Sequence, residues 1–192
     1  MRARRPRAPR ILYNASVQLH RGNLFVVGLP GSGKSTLGRA LARRLGKPFL
    51  DADAELERRL GVSIPTIFEI EGEAAFRDRE EAVIADIVAR SGIVLATGGG
   101  AVIRAANRER LKANGTVLYL HAEPAILRER TRHNRNRPLL NTADPLARLV
   151  ELYAQRDPLY REVADVVLES DRDQVMRFAQ RLAADQIRAL RA

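Results

Sequence analysis

The stretch GLPGSGKST, residues 28–36, decides the fold class of this chain. It has the spacing G-x-x-x-x-G-K-[ST], follows the apolar run LFVV at 24–27, and opens a segment in which leucines recur every four residues up to Leu45. A strand, a glycine-rich turn and a helix in this order are typical of a phosphate-binding loop. Glycines let backbone N–H groups converge on phosphate oxygens, and the helix N-terminus adds a favourable dipole. The motif indicates nucleotide binding but does not separate kinases from GTPases, ATPases or inactive relatives.

Outward from this stretch, short apolar runs alternate with helical patterns. The predicted strands are 24–27, 48–50, 93–96, 116–120 and 164–168. The predicted helices are 34–45, 54–60, 72–90, 107–113, 124–130, 145–156 and 174–190. Strands separated by helices form βαβ units, which favours a three-layer α/β fold with a five-stranded parallel sheet. Ligands bind such sheets at the carboxyl ends of the strands, so site residues are expected just after strands.

The amino-acid composition further limits the classes of protein to which this chain can belong. A length of 192 residues with 45% hydrophobic and 29% charged residues fits one globular domain. The absence of cysteine excludes a disulfide framework, thiolate metal sites and cysteine nucleophiles. No apolar run reaches the 18 residues that a membrane span needs, so no membrane association is expected.

The net charge of +10 is concentrated at the amino terminus. Residues 1–22 carry six arginines and no acidic residue, whereas the rest has 27 basic and 23 acidic residues. We expect 1–22 to be a disordered basic extension, with contact to nucleic acid or an anionic surface as the alternative. Residues 23–192 are expected to form the single globular domain.

Two polar segments follow predicted strands. Asp51 and Asp53 come after the second strand, where one could face Mg²⁺ through water and the other an acceptor hydroxyl. Asp53 could instead only cap the following helix. Thr97 and the glycines at 98–100 follow the third strand, and three glycines permit either close approach to a small ligand or a tight turn.

Three arginines are further candidates, each with a structural alternative. Arg77 has acidic residues at i−4 and i+4 (Glu73 and Glu81), which is the spacing of a surface ion pair. Arg137 lies in an arginine-rich segment that could be a solvated loop or an anion-binding lid. Arg156 is expected at the end of a helix, where the helix dipole stabilises a cation. Phosphoryl transfer requires positive groups around the transferred phosphate, which favours the functional alternatives.

Taken together, these motifs resemble those of shikimate kinases over residues 23–190. The matching segments are GSGKSTLGR at 31–39, DAD at 51–53, GE at 72–73 with FR at 76–77, TGGGAV at 97–102, RPLL at 137–140 and RDPLY at 156–160. The resemblance implies a P-loop kinase fold of the nucleoside-monophosphate-kinase type. It also implies an acceptor-binding helical insert at about 52–90 and a lid at about 131–142.

The resemblance also implies site roles. ATP phosphates would be held by Gly31, Ser32, Gly33, Lys34, Ser35 and Thr36. Ser35 would bind Mg²⁺ directly and Asp51 through water. Shikimate would contact Asp53, Arg77, Gly98, Gly99, Gly100 and Arg156. Arg137 would reach the nucleotide phosphates from the lid, Arg130 would line the adenine, and Asp173 is a weaker match on the adenine side. Asp53, Lys34 and Arg137 would be the catalytic residues.

The activity implied by the resemblance is ATP-dependent phosphorylation of the shikimate 3-hydroxyl, on the route to chorismate and aromatic amino acids. Two alternatives remain at this stage: a kinase-like ligand-sensing module of a regulator, and a kinase of another small metabolite. A cytoplasmic monomer with one Mg²⁺ and no specific nucleic-acid partner is expected.

Overall fold

The computed structural model describes residues 22–132, 142–171, 173, 176–178, 180 and 181. The strands are β1 (Leu24–Val27), β2 (Phe49–Asp51), β3 (Val94–Ala96), β4 (Thr116–His121) and β5 (Val166–Glu169). The helices are α1 (Lys34–Leu45), α2 (Ala52–Leu60), α3 (Ile64–Val88), α4 (Ala105–Asn114), α5 (Pro124–Thr131) and α6 (Pro145–Val163), with a 3₁₀ turn at Ala101–Ile103. Residues 173, 176–178, 180 and 181 are also helical.

The five strands form one sheet in the order β2-β3-β1-β4-β5. Every neighbouring pair is parallel, with Leu24 opposite both Val94 and Thr116, and Leu118 opposite Val166. The predicted five-stranded parallel sheet is therefore confirmed. Because all strands run the same way, their carboxyl ends meet at one edge, where the segments after β1, β2 and β3 are gathered.

Both faces of the sheet are buried, and successive residues of a strand point alternately to one face and to the other. Phe25 and Val27 of β1 pack with α2, α3, α4 and α6 in the larger hydrophobic cluster. Leu24 and Val26 face the other way, against α1 and Phe178. The period of two along a strand produces this division, and burial on both faces explains why the strands are uninterrupted apolar runs.

Helix α3 differs from the prediction of a helix over 72–90. It begins at Ile64, after Ser63, whose hydroxyl accepts a hydrogen bond from the amide of Thr66 at 3.4 Å. Gly72 interrupts it with φ 79° and ψ 177°, so two helical halves meet at a kink. Those angles lie in a region that only glycine adopts readily. The prediction took Gly72 as the start of a helix, whereas it joins two.

Helix α6 continues to Val163, although the prediction ended it near residue 156. Pro158 lies inside it and removes one helical donor, at a cost of about 3 kcal/mol for a helix interior. Beyond the proline, Tyr160 and Val163 are buried in the larger cluster, and their burial outweighs that cost. Arg156 therefore lies within the helix and not at its end, so stabilisation by the helix dipole does not explain it.

The predicted extension falls outside the described residues except for Gly22. Most of the predicted lid, including Arg137, and most of the predicted last helix also lie outside them. In the part of the chain that the structure describes, no helix combines the length and apolar character needed to cross a membrane.

Candidate functional site

The loop between β1 and α1 has the backbone of a phosphate cradle. Gly31 has φ 86°, and a Cβ at this position would lie 2.6 Å from the Cγ2 of Thr131, so both conformation and space call for glycine. The Lys34 ammonium donates to the carbonyl of Leu29 at 3.0 Å, and the residue as a whole is only 9% exposed. The amine is thus held over the loop that precedes its own helix.

Ser35 and Asp51 lie together beside this loop. The Ser35 hydroxyl donates to Oδ2 of Asp51 at 2.6 Å. The other oxygen of Asp51 accepts from the amides of Asp53 at 3.2 Å and Ala54 at 3.4 Å, so Asp51 is the N-cap of α2. The alternative that Asp53 caps this helix is therefore wrong, because the helix begins two residues earlier than predicted and Asp53 lies in its first turn.

Asp53 instead lies against the glycine turn after β3. A Cβ on Gly98 would lie 2.6 Å from Oδ1 of Asp53 and 2.5 Å from Oε1 of Glu80. Two carboxylates thus pack closely against the turn, and they leave no space for any side chain at position 98. The structure brings the ends of β2 and β3 together as the parallel sheet predicts.

Arg77 forms one of the ion pairs that its spacing suggests, with Glu73, but the guanidinium is buried and is not part of a surface contact. It is 5% exposed and donates to Glu80 at 2.6 Å and Glu73 at 2.9 Å. Of the two acidic residues that the spacing offered, Glu73 pairs with Arg77, whereas Glu81 pairs with Arg110 at 2.9 Å. Burial disfavours the cation, but the charges and hydrogen bonds of Glu80 and Glu73 outweigh this, so the pKa of Arg77 is raised.

Arg156 reaches the same turn from α6. It is 3% exposed, and its Nη1 donates to the carbonyl of Gly99 at 3.0 Å, an oxygen that also accepts from the hydroxyl of Tyr160 at 2.5 Å. Burial lowers the pKa of Arg156, and the nearby charge of Arg77 acts in the same direction. An anion bound between the two arginines would relieve both effects.

Two buried polar atoms of this pocket make no hydrogen bond within the described residues: Oε1 of Glu80 and Nε of Arg156. Burying an unpaired polar group is costly, so such atoms commonly mark a ligand or water site. A Cβ on Gly100 would overlap the guanidinium of Arg77, and one on Gly99 would lie 2.7 Å from Cδ of Pro30 in the phosphate loop. The glycine turn therefore packs directly against the phosphate loop.

Arg130 lies at the other side of the cradle, at the end of α5. Its Nη1 donates to the Ser170 hydroxyl at 2.5 Å and its Nη2 to the Ser170 carbonyl at 2.7 Å. The Ser170 hydroxyl donates in turn to the carbonyl of Ser32 at 2.6 Å. Asp173 is exposed, and its amide donates to Oδ1 of Asp171 at 3.3 Å. Within the described residues, Arg130 is linked to the loop and Asp173 is not part of that link.

Comparison with known proteins identifies the family. The family model described as shikimate kinase matches residues 30–188. This chain belongs to the shikimate kinase family. It is 62% identical over 155 residues to the shikimate kinase of Thiobacillus denitrificans, covering 81% of this chain and 85% of the relative. The shikimate kinase of Cupriavidus pinatubonensis is 61% identical over 159 residues, covering 83% of each chain. The resemblance stated from the sequence motifs is confirmed.

Solved structures agree with this membership. The shikimate kinase from Acinetobacter baumannii in complex with shikimate superimposes with a TM-score of 0.80 at 47% identity, covering 83% of this chain and 89% of that one. The shikimate kinase from Aquifex aeolicus gives a TM-score of 0.73 at 32% identity, covering 85% of this chain and 98% of that one. A gluconokinase from Sinorhizobium meliloti, with a TM-score of 0.52 at 21% identity over 88% of this chain and 94% of that one, shares the fold alone. The predicted P-loop kinase fold is confirmed.

Three residues of the site escaped the sequence reasoning: Glu80, Tyr160 and Ser170. Glu80 stands three residues after Arg77, a spacing that allows a helical ion pair, but nothing in the sequence indicates that it is buried. Tyr160 lies beyond Pro158, where the helix was expected to have ended. Ser170 follows the last strand, and its position just after β5 was the available signal, since the carboxyl ends of parallel strands carry sites.

Proposed function

We propose that this chain transfers the γ-phosphoryl group of ATP to the 3-hydroxyl of shikimate, giving shikimate 3-phosphate and ADP on the route to chorismate and aromatic amino acids. The observation that carries the proposal is the pocket in which Arg77, Arg156 and Asp53 meet the glycine turn 98–100 beside the phosphate loop. Shikimate has one carboxylate and three hydroxyls. Two buried guanidiniums with a nearby carboxylate match an acceptor that is anionic at one end and a nucleophilic alcohol at the other.

At the acceptor end, the two arginines would bind the carboxylate of shikimate by charge-assisted hydrogen bonds. Arg156 has the buried, unpaired Nε available for this contact. Glu80 holds Arg77 through the 2.6 Å ion pair, which fixes the guanidinium before shikimate arrives. Gly98, Gly99 and Gly100 let the ring approach the backbone, and Asp53 orients the reacting hydroxyl toward the phosphate loop.

At the phosphate end, residues 31–36 would hold the ATP phosphates: Gly31, Ser32, Gly33, Lys34, Ser35 and Thr36. Lys34 would exchange its bond to the Leu29 carbonyl for bonds to the β- and γ-phosphates. Arg137, in the expected lid, would add positive charge to the transferred group. Phosphoryl transfer depends mainly on such positioning and electrostatic stabilisation, which Lys34 and Arg137 provide.

The residues beside the loop also fit a single Mg²⁺. Ser35 and Asp51 supply hydroxyl and carboxylate oxygens 2.6 Å apart, the hard ligands that Mg²⁺ prefers. Among the described residues, no cluster of three or more metal-binding side chains exists, which suits an ion that takes its other ligands from phosphates and water. Ser35 would bind the ion directly and Asp51 through water. When bound, Mg²⁺ neutralises charge on the β- and γ-phosphate oxygens.

The remaining assignments are part of the same proposal. Arg130 would lie along the adenine, with Asp173 near it. The protein is proposed to act as a cytoplasmic monomer on small molecules, without a specific nucleic-acid partner.

The decisive experiment measures ADP release by the purified protein with ATP and Mg²⁺, with and without shikimate. We expect release that depends on shikimate, with shikimate 3-phosphate as the product. Turnover with a different metabolite in place of shikimate would indicate another kinase. Shikimate binding without turnover would indicate a ligand-sensing module.

A further inference from the structure

Ser170, the residue immediately after β5, uses every polar group it has. Its amide donates to the carbonyl of His121 at 2.7 Å. Its hydroxyl donates to the carbonyl of Ser32 at 2.6 Å and accepts from Nη1 of Arg130 at 2.5 Å. Its carbonyl accepts from Nη2 of Arg130 at 2.7 Å. Through its backbone and its side chain, this one residue therefore connects the ends of β4 and β5, the end of α5 and the phosphate loop.

The bond to Ser32 has a geometric consequence inside the loop. The peptide unit between Ser32 and Gly33 is planar and trans, so its C=O and N–H point in opposite directions. Fixing the Ser32 carbonyl toward Ser170 fixes the Gly33 N–H away from Ser170. Backbone N–H groups of this loop are the donors that bind phosphate oxygens. The Ser170 hydroxyl thus sets the direction of one phosphate-binding donor.

The two bonds from Arg130 have a second consequence. Both terminal nitrogens donate to Ser170, which holds the guanidinium plane in one orientation on an exposed side chain. Ser170 therefore sets the position of Arg130 relative to the phosphate loop.

We infer that Ser170 is a positioning residue for the nucleotide, acting through the Ser32–Gly33 peptide and through Arg130. The inference rests on the proposed use of ATP by this site. It assigns Ser170 no contact with shikimate, since its partners lie on the β4–β5 side of the loop, whereas Asp53, Arg77 and Arg156 converge on the turn after β3.

The test replaces Ser170 and measures nucleotide binding directly. Ser170→Ala removes both bonds of the hydroxyl, and we expect about a tenfold rise in the Kd for ADP by calorimetry and in the KM for ATP. The KM for shikimate should change less than about twofold. Ser170→Thr keeps a hydroxyl and should restore ADP binding to within about threefold of the wild type.

Asp165→Ala is the matched control, because Asp165 makes a similar side-chain bond at the opposite end of the same strand region. Its Oδ2 accepts from the amide of Val117 at 2.7 Å, far along the strand direction from the phosphate loop. We expect this variant to lower Tm without raising the Kd for ADP. An equal rise in Kd for both variants would show that Ser170 only stabilises the sheet and would overturn the inference.

Arg130→Ala supplies a double-mutant cycle. If Ser170 acts partly through Arg130, Ser170→Ala should weaken ADP binding less in the Arg130→Ala protein than in the wild type. Unchanged ADP affinity in Ser170→Ala would overturn the inference even if the enzyme phosphorylates shikimate. If the wild type binds ADP but does not phosphorylate shikimate, the proposed function is wrong. The inference about Ser170 is then decided by the Kd for ADP of the wild type and of Ser170→Ala.

Discussion

At the scale of single residues, Asp51 and Asp53 have clearly different roles, although only one residue lies between them in the sequence. Asp51 caps α2 and accepts from Ser35, so the carboxylate that caps this helix is that of Asp51 and not that of Asp53. We therefore expect Asp53→Asn to keep its Tm and its affinity for ADP but to lose most of its kcat, since an amide orients the hydroxyl poorly. Steady-state kinetics and thermal melts check this. Near-normal turnover would remove Asp53 from the mechanism.

Replacing either buried arginine should affect stability differently, although both arginines are proposed to bind the same carboxylate. Arg156→Ala and Arg77→Ala should each raise the shikimate KM by about 10- to 150-fold, the equivalent of about 1.5–3 kcal/mol for a charge-assisted bond. The ATP KM should change little. Arg77→Ala also leaves Glu80 buried without its cation, which typically costs about 3–5 kcal/mol.

Urea unfolding should accordingly show a larger loss in Arg77→Ala than in Arg156→Ala, and adding Glu80→Gln to Arg77→Ala should recover part of it. Arg104→Ala, which breaks an exposed pair with Asp78, is the control and should change neither KM nor stability appreciably. Equal shikimate KM values in all three single variants would contradict the proposed carboxylate site.

At the scale of elements, the kink at Gly72 sets the direction of the helical half that carries Glu73 and Arg77, which belong to the proposed acceptor site. A Cβ on Gly72 would meet nothing within 4 Å, so any cost of Gly72→Ala comes from the backbone alone. With φ 79° and ψ 177°, that cost should be about 1–3 kcal/mol in urea unfolding, with a rise in the shikimate KM.

Gly61 provides the comparison, because it also has open space but adopts φ 69° and ψ 10°. Asparagine tolerates that left-handed helical region, so Gly61→Asn should be mild while Gly72→Asn should be severe. Equal losses in the two asparagine variants would show that the kink does not depend on glycine.

The elements also show why some features could be predicted from sequence and others could not. The strands could be predicted because parallel strands buried on both faces are continuous apolar runs, as in LFVV at 24–27. The first half of α3 was missed because Gly72 resembles a helix boundary. The end of α6 was missed because burial of Tyr160 outweighs the proline at 158. Buried partners such as Glu80 depend on tertiary packing, which local spacing does not encode.

At the scale of the whole molecule, the described residues of the proposed site lie between residues 28 and 173, and the sheet begins at Leu24. The six arginines at the amino terminus all precede residue 22 and are not balanced by any acid there. The charge that dominates the net +10 is thus separate in sequence from the residues proposed to bind ATP and shikimate. The effect of the amino-terminal arginines can therefore be tested separately from the proposed catalytic activity.

Deleting residues 1–21 should leave kcat and both KM values within about twofold of the full chain, because no described strand, helix or site residue is removed. Contacts between arginine and phosphate release counterions, so any binding of the full chain to DNA should weaken as salt rises. The truncated protein should bind DNA more weakly at low salt and show a shallower salt dependence. Activity assays, thermal melts and a salt titration with a short duplex measure the three effects. A large fall in Tm on truncation would show that the extension packs on the sheet, and unchanged DNA binding would place the responsible charge within residues 22–192.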